Sequence, residues 1–153
     1  MYSFLTAKGI LNTNQFGFRK GRSTVHALHS SVNIIKDALN IGKHVLGVFI
    51  DLSKAFDTLD HKILLDKLEH YGIRGNAKSL FESYLIGRQQ YTTFNKDFSE
   101  KLRVLYGVPQ GSVLGPLLFL IYINDLKNCY NEMGCNFILY ADDFPSVAGV
   151  YAS

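Results

Sequence analysis

The chain has 153 residues, of which 47% are hydrophobic and 19% charged, with a formal net charge of +3. That length suits one domain with a sizeable core, and the composition excludes intrinsic disorder as a description of the whole. The mild basicity permits a polyanionic partner without requiring one.

The first dozen residues carry no clear pattern. Asn14-Gln15-Phe16-Gly17-Phe18-Arg19-Lys20-Gly21-Arg22-Ser23 then mixes aromatic, glycine and basic residues, as a structured loop does. Ser23 or Thr24 can cap a following helix, whose apolar positions Val25, Leu28, Val32, Ile35 and Leu39 recur at helical spacing until Gly42 stops it. Val45 to Ile50 is a continuous, β-branched-rich apolar run ending at Asp51, which predicts a buried central strand with an acid at its tip. Helical patterns resume over about 61–71 (Leu64, Leu65, Leu68, Tyr71) and about 76–86 (Leu80, Phe81, Tyr84, Leu85). Gln89–Phe94, the turn Asn95-Lys96-Asp97 and alternating Leu102, Val104 and Tyr106 predict a hairpin. Gly107 to Gly111 reads as a loop, Pro116 as the first turn of a helix, and Leu117 to Ile123 as apolar all round and therefore buried. Phe137-Ile138-Leu139-Tyr140 predicts a second short strand running into Ala141-Asp142-Asp143. Alternating strands and helices, with two strands ending in acid, give an α+β or α/β sheet layered with helices.

Cys129 and Cys135 fit neither a zinc pattern nor a secreted disulfide scaffold, so reduced thiols and an intracellular setting are expected. The N-terminus lacks signal-peptide order, and the apolar runs are too short or too interrupted to span a bilayer, so no membrane partner is expected. No defensible metal-ligand spacing links His26, His29, His44, His61 and His70; they read as surface or hydrogen-bonded histidines.

The two acid-tipped strands bear on chemistry. Should Asp51 and Asp142 converge, their repulsion calls for a cation, and hard carboxylate oxygens suit magnesium. Asp142 and Asp143 are adjacent on an extended segment, so one faces a site while the other supports the turn. An aspartate after a strand also starts turns and caps helices, and spacing alone does not bring positions so far apart together.

Longer strings add a resemblance. Asp51-Leu52-Ser53-Lys54-Ala55-Phe56-Asp57-Thr58-Leu59-Asp60-His61, Gly107-Val108-Pro109-Gln110-Gly111-Ser112-Val113-Leu114-Gly115-Pro116 and Tyr140-Ala141-Asp142-Asp143 resemble, in order, three catalytic palm motifs of non-LTR retrotransposon reverse transcriptases. Gln15-Phe16-Gly17-Phe18-Arg19 resembles the block just upstream of the palm. The likeness covers about residues 14–143. It implies an α+β fold in which a polymerase-palm antiparallel sheet packs on helices, with the end of the fingers and no thumb. It also implies RNA-directed DNA polymerase activity: an RNA template, a DNA primer, deoxynucleotide triphosphates and two magnesium ions.

Carried over residue by residue, Asp51, Asp142 and Asp143 become the catalytic carboxylates, with the Leu52 backbone carbonyl a further metal ligand. Phe56 takes the place of the steric gate against a ribose 2′-hydroxyl, although without the motif it would read as core packing. Gln110, Gly111 and Tyr140 border the nucleotide. Arg19, Lys20 and Arg22 contact template phosphates or form a solvated basic loop.

The sequence departs from the family pattern at both ends. Residues 1–13 show no fingers block, and residues 144–153 resemble no thumb or primer grip, with Pro145 awkward in a paired strand. The expectation is a truncated, weakly active or inactive polymerase domain. The alternatives are a degenerate nucleic-acid-binding fragment, disfavoured if the acids prove essential, and a group II intron maturase relative. A nuclear location suits an element priming on chromosomal DNA, though no targeting signal is present.

Overall fold

The computed structural model describes residues 1–128 and 136–141 and the backbone of residues 143–149. Cys129, Cys135, Asp142 and the end of the tail, 150–153, lie outside the described residues. The chain forms two compact units, one built from residues 1–54 and 123–153, the other from 55–122.

The first unit begins with helix α1 (Tyr2–Ala7), which buries Leu5 completely. No amphipathic period marks so short a helix, so the sequence left it unassigned. Helix α2 (Thr24–Asn40) is the predicted one. Ser23 caps it by accepting from the His26 N–H at 3.4 Å, and Gly42, at φ +75°, donates its N–H to the Leu39 carbonyl at the other end. Its packed side differs from the periodic reading. Val25, Leu28, Val32, Ile35 and Leu39 are 37–70% exposed, whereas Ala27, Ser31 and Ala38 are buried.

Strand β1 (Leu46–Asp51) pairs antiparallel with β6 (Asp143–Gly149), and the two make a sheet of their own. The expected buried central strand is not found: every β1 residue is exposed, Phe49 by 73%. A ribbon with one partner strand has two open faces and cannot bury a run that is apolar on both. The register passes from Val48↔Val147 to Ile50↔Phe144, so Pro145 and Ser146 oppose Phe49 alone. That is a bulge, one of the few places in a ladder where a residue without an N–H is tolerated. Pro145 is thus accommodated in a paired strand, contrary to expectation.

Phe137–Tyr140 is buried, or half-buried at Tyr140, but forms no extended strand. Its pairing is a parallel bridge between Leu139 and Gln15. The Leu139 N–H donates to the Asn14 carbonyl and its carbonyl accepts from the Phe16 N–H, each at 2.8 Å. Phe137 and Leu139 form a small core with Leu126 against it. Asn124, 3% exposed, ties in the N-terminal segment: its Oδ1 accepts from the Asn12 N–H at 2.8 Å and its Nδ2 donates to the Ile10 carbonyl at 2.9 Å.

In the second unit, helix α3 (His61–His70) starts at Asp60, whose Oδ1 accepts from the Ile63 N–H at 3.0 Å. Lys67 and His70 occupy its last turn, where positive charge suits the helix dipole. Helix α4 (Asn76–Leu85) buries Phe81 and Leu85 and leaves Leu80 exposed. Helix α5 (Gly115–Tyr122) packs on α3 and buries Leu118, Phe119, Leu120 and Ile121, as its unbroken apolar run predicts. The hairpin comprises β2 (Gln89–Gln90) with β5 (Leu102–Arg103), and β3 (Thr93–Phe94) with β4 (Asp97–Phe98). Asn95 and Lys96 both take positive φ, +47° and +77°, the two-residue turn whose twist matches the flanking strands.

The described residues are therefore mixed helix and strand, but the strands form three separate two-stranded ribbons in place of one sheet. Leu64 is fully buried on α3. Leu64→Ala is expected to lower the unfolding free energy by about 2–5 kcal/mol, whereas Leu80→Ala should change it by less than about 0.5 kcal/mol, both read by urea denaturation.

Candidate functional site

In the first unit the end of β1 brings two of the sequence-predicted acids to facing positions: Asp51 and Asp143 are Cα partners across the antiparallel pair. Oxygen-donor aspartates are the type that suits magnesium, and to that extent the residues present fit it. Asp142 lies outside the described residues. Leu52 follows Asp51 at the surface, 36% exposed. Among the described residues, no group of three or more histidine, cysteine or acidic side chains gathers as a metal site.

The segment before Asp142 is tightly specified. Tyr140 is half-buried, and Ala141 is buried with φ +56°, a left-handed conformation that costs a residue bearing a Cβ about 1–2 kcal/mol. Gly17 lies against it: a Cβ there would collide with the Ala141 N and sit 2.6 Å from its Cα. Gln15, 4% exposed, accepts through Oε1 from the Gly17 N–H at 2.7 Å and the Ala141 N–H at 3.1 Å. Neither Gln15 nor Gly17 was singled out as a site residue from the sequence, because nothing local announces a partner so far along the chain.

The basic loop belongs to the same unit and is tied into it. Arg19 Nη1 donates to the Asn12 carbonyl at 2.8 Å. Arg22 Nη1 donates to the carbonyls of Thr13 and Gln15 while its guanidinium lies 4.8 Å from the centre of the Phe16 ring. Burial, and then the charge of Arg19, holds the Arg22 guanidinium below its usual pKa, although it remains charged. Lys20 is exposed, its backbone N–H donating to the Tyr2 hydroxyl at 2.9 Å. Two of the three cations expected to meet phosphate thus hold the loop's own backbone.

In the second unit the remaining motif residues join two loops. The Gly107 N–H donates to the Leu59 carbonyl at 2.8 Å and the Val108 N–H to the Phe56 carbonyl at 2.9 Å. Gly107, at φ +83°, is required there, since a Cβ would fall 2.8–2.9 Å from the backbones of Asp57 and Phe56. Phe56 is half-buried and stacks on Phe119 with ring centres 4.6 Å apart, so core packing accounts for part of its ring. Gln110 is exposed and donates through Nε2 to Asp57 Oδ1 at 2.9 Å. Gly111, at φ +74°, has open space where a side chain would stand.

His61 proves to be a hydrogen-bonded core histidine. It is 8% exposed, and its Nε2 lies 2.7 Å from the Gly107 carbonyl. A carbonyl only accepts, so Nε2 carries the proton. His61→Ala would strand that carbonyl, with an expected loss of about 1–3 kcal/mol in urea denaturation; an unchanged midpoint would show that the bond contributes nothing.

These motif loops and their order along the chain are those of a polymerase of nucleic acids, and the chain belongs to the reverse transcriptase (RNA-dependent DNA polymerase) family, whose profile matches residues 2–148. It is 39% identical over 124 residues to the "Probable RNA-directed DNA polymerase from transposon X-element" of Drosophila melanogaster, covering 81% of this chain and 14% of that protein. Against the corresponding protein from transposon BS of the same species it is 34% identical, covering 97% of this chain and 17% of the relative. The "RNA-directed DNA polymerase from mobile element jockey" of Drosophila funebris is 36% identical over 114 residues, 74% of this chain and 12% of that protein. The resemblance to non-LTR retrotransposon polymerases is therefore borne out, and the chain spans between about one-eighth and one-sixth of these relatives' length. Among the described residues, no helix is long and apolar enough to cross a membrane.

Proposed function

We propose that this chain carries the nucleotidyl-transfer centre of an RNA-directed DNA polymerase, adding deoxynucleotides to a DNA primer on an RNA template. The observation that carries the reading is the register of β1 and β6, in which Asp51 and Asp143 stand opposite one another at the end of the acid-tipped strand. Family membership supplies the chemistry for which such facing acids are suited.

Asp51, Asp142 and Asp143, with the Leu52 carbonyl, would hold magnesium. Bound there, two such ions would activate the primer 3′-hydroxyl and neutralise charge on the leaving pyrophosphate. Phe56 would underlie the sugar, where a 2′-hydroxyl has no room. Its stacking on Phe119 restrains the ring, and a restrained ring discriminates by shape better than a mobile one. Gln110, held by Asp57, would flank the nucleotide and templating base; Tyr140 would border the nucleotide, and Gly111 would let the backbone approach. Lys20, with whatever reach Arg19 and Arg22 retain, would meet phosphate.

Primer extension on an RNA template with magnesium and deoxynucleotides tests the centre. Loss of a residue that merely hydrogen-bonds a metal ligand costs about 10–100-fold, so Asp51→Asn, which alters a ligand itself, is expected to slow single-nucleotide addition by at least about 100-fold. Equal rates for the variant and the unaltered chain would sink the assignment. Phe56→Ala is expected to raise the efficiency of ribonucleotide relative to deoxynucleotide addition by at least about tenfold, measured as a ratio of kcat/KM values. An unchanged ratio would leave Phe56 as core packing.

A further inference from the structure

We propose that Gln15 is a positioning residue for the acidic pair, its buried side-chain oxygen fixing the backbone turn from which Asp142 and Asp143 follow. This rests on the reading of those acids as metal carboxylates and extends it to a residue in the upstream loop.

Three observations converge on Gln15. Its Oε1 accepts two backbone N–H groups at once, from Gly17 in its own loop and from Ala141. Its chain neighbours Asn14 and Phe16 hold Leu139 by both of its backbone groups, so the loop around Gln15 grips the segment at Leu139 as well as at Ala141 before the acids begin. Ala141 is also in the left-handed region, which an alanine holds only when its surroundings over-determine it. Gly17 lies close against the Ala141 backbone, and the Gln15 oxygen captures the Ala141 N–H.

The side-chain type is informative. A leucine of similar bulk would fill the volume but leave the Ala141 N–H buried and unpaired. A glutamate would keep the acceptor. Among the described residues, Gln15 Nε2 is buried with no acceptor. Among the described residues it is thus the oxygen of the amide that does the bonding.

The test compares the unaltered chain with Gln15→Leu, Gln15→Glu and Asp51→Asn. Two readouts are used: hydrogen exchange at the Ala141 amide, with the α2 amides of the same unit as internal reference, and manganese(II) affinity by electron paramagnetic resonance. Gln15→Leu is expected to speed exchange at Ala141 at least tenfold with the α2 amides unchanged, and to weaken manganese binding at least fivefold. Gln15→Glu should keep Ala141 protected to within about twofold, a rescue that simple loss of packing would not produce. Unchanged exchange at Ala141 in Gln15→Leu overturns the proposal. So does unchanged manganese affinity in that variant when Asp51→Asn lowers it. Should Gln15→Leu not fold, Gln15→Glu carries the test, and a tenfold rise in its Ala141 exchange overturns the proposal. Manganese binding that is absent from the unaltered chain, or indifferent to Asp51→Asn, defeats the carboxylate reading instead and takes the positioning role with it.

Discussion

Two hydrogen bonds on Leu139 set the terms for the first unit. With its N–H given to Asn14 and its carbonyl receiving from Phe16, a segment near the end of the chain is laced to a loop near its beginning. Closing so long a loop is entropically costly. The cost is met by several contacts acting together: Leu139 and Phe137 buried in a small core, Asn124 pairing with both Asn12 and Ile10, and Arg19 and Arg22 clamping the loop's carbonyls. The lacing holds the segment up to Ala141, where Phe137–Tyr140 form no extended strand.

The second unit solves a similar problem mainly through its backbone. Its two motif loops meet through N–H to carbonyl bonds at Gly107 and Val108, and His61 anchors the Gly107 carbonyl from the start of α3. A histidine in that place does structural service beside residues read as chemical, a caution against treating every polar residue of a catalytic motif as a participant. Arg19 and Arg22 teach the same lesson, since each gives its Nη1 to carbonyls of its own segment.

Where a physical period was strong, the sequence was legible. Leu64, Leu65 and Leu68 on α3 and the unbroken run on α5 are buried as read, and Ser23 and Gly42 bound α2 as capping chemistry requires. The Asn95-Lys96 turn was found within a residue. What failed was the step from pattern to partner. An apolar run says that a segment is hydrophobic and leaves open what covers it: the β1 run, read as a buried central strand, is exposed, and so is the apolar stripe of α2. Facing acids were inferred from motif order, yet the register pairs Asp51 with Asp143, a detail set by the bulge at Pro145 that no local pattern encodes. Gln15 stayed hidden for the same reason: its meaning lies wholly in a partner more than a hundred residues away.

The left-handed alanine at 141 has a consequence for how such a domain can change over time. A conformation that costs folding free energy, held next to the acids, is a debt against thermal robustness that any lineage keeping this turn must carry. Glycine there would relieve it, while returning to the unfolded chain the freedom that the lacing around Gln15 works to remove. Relief of strain and rigidity of the turn thus pull this single position in opposite directions.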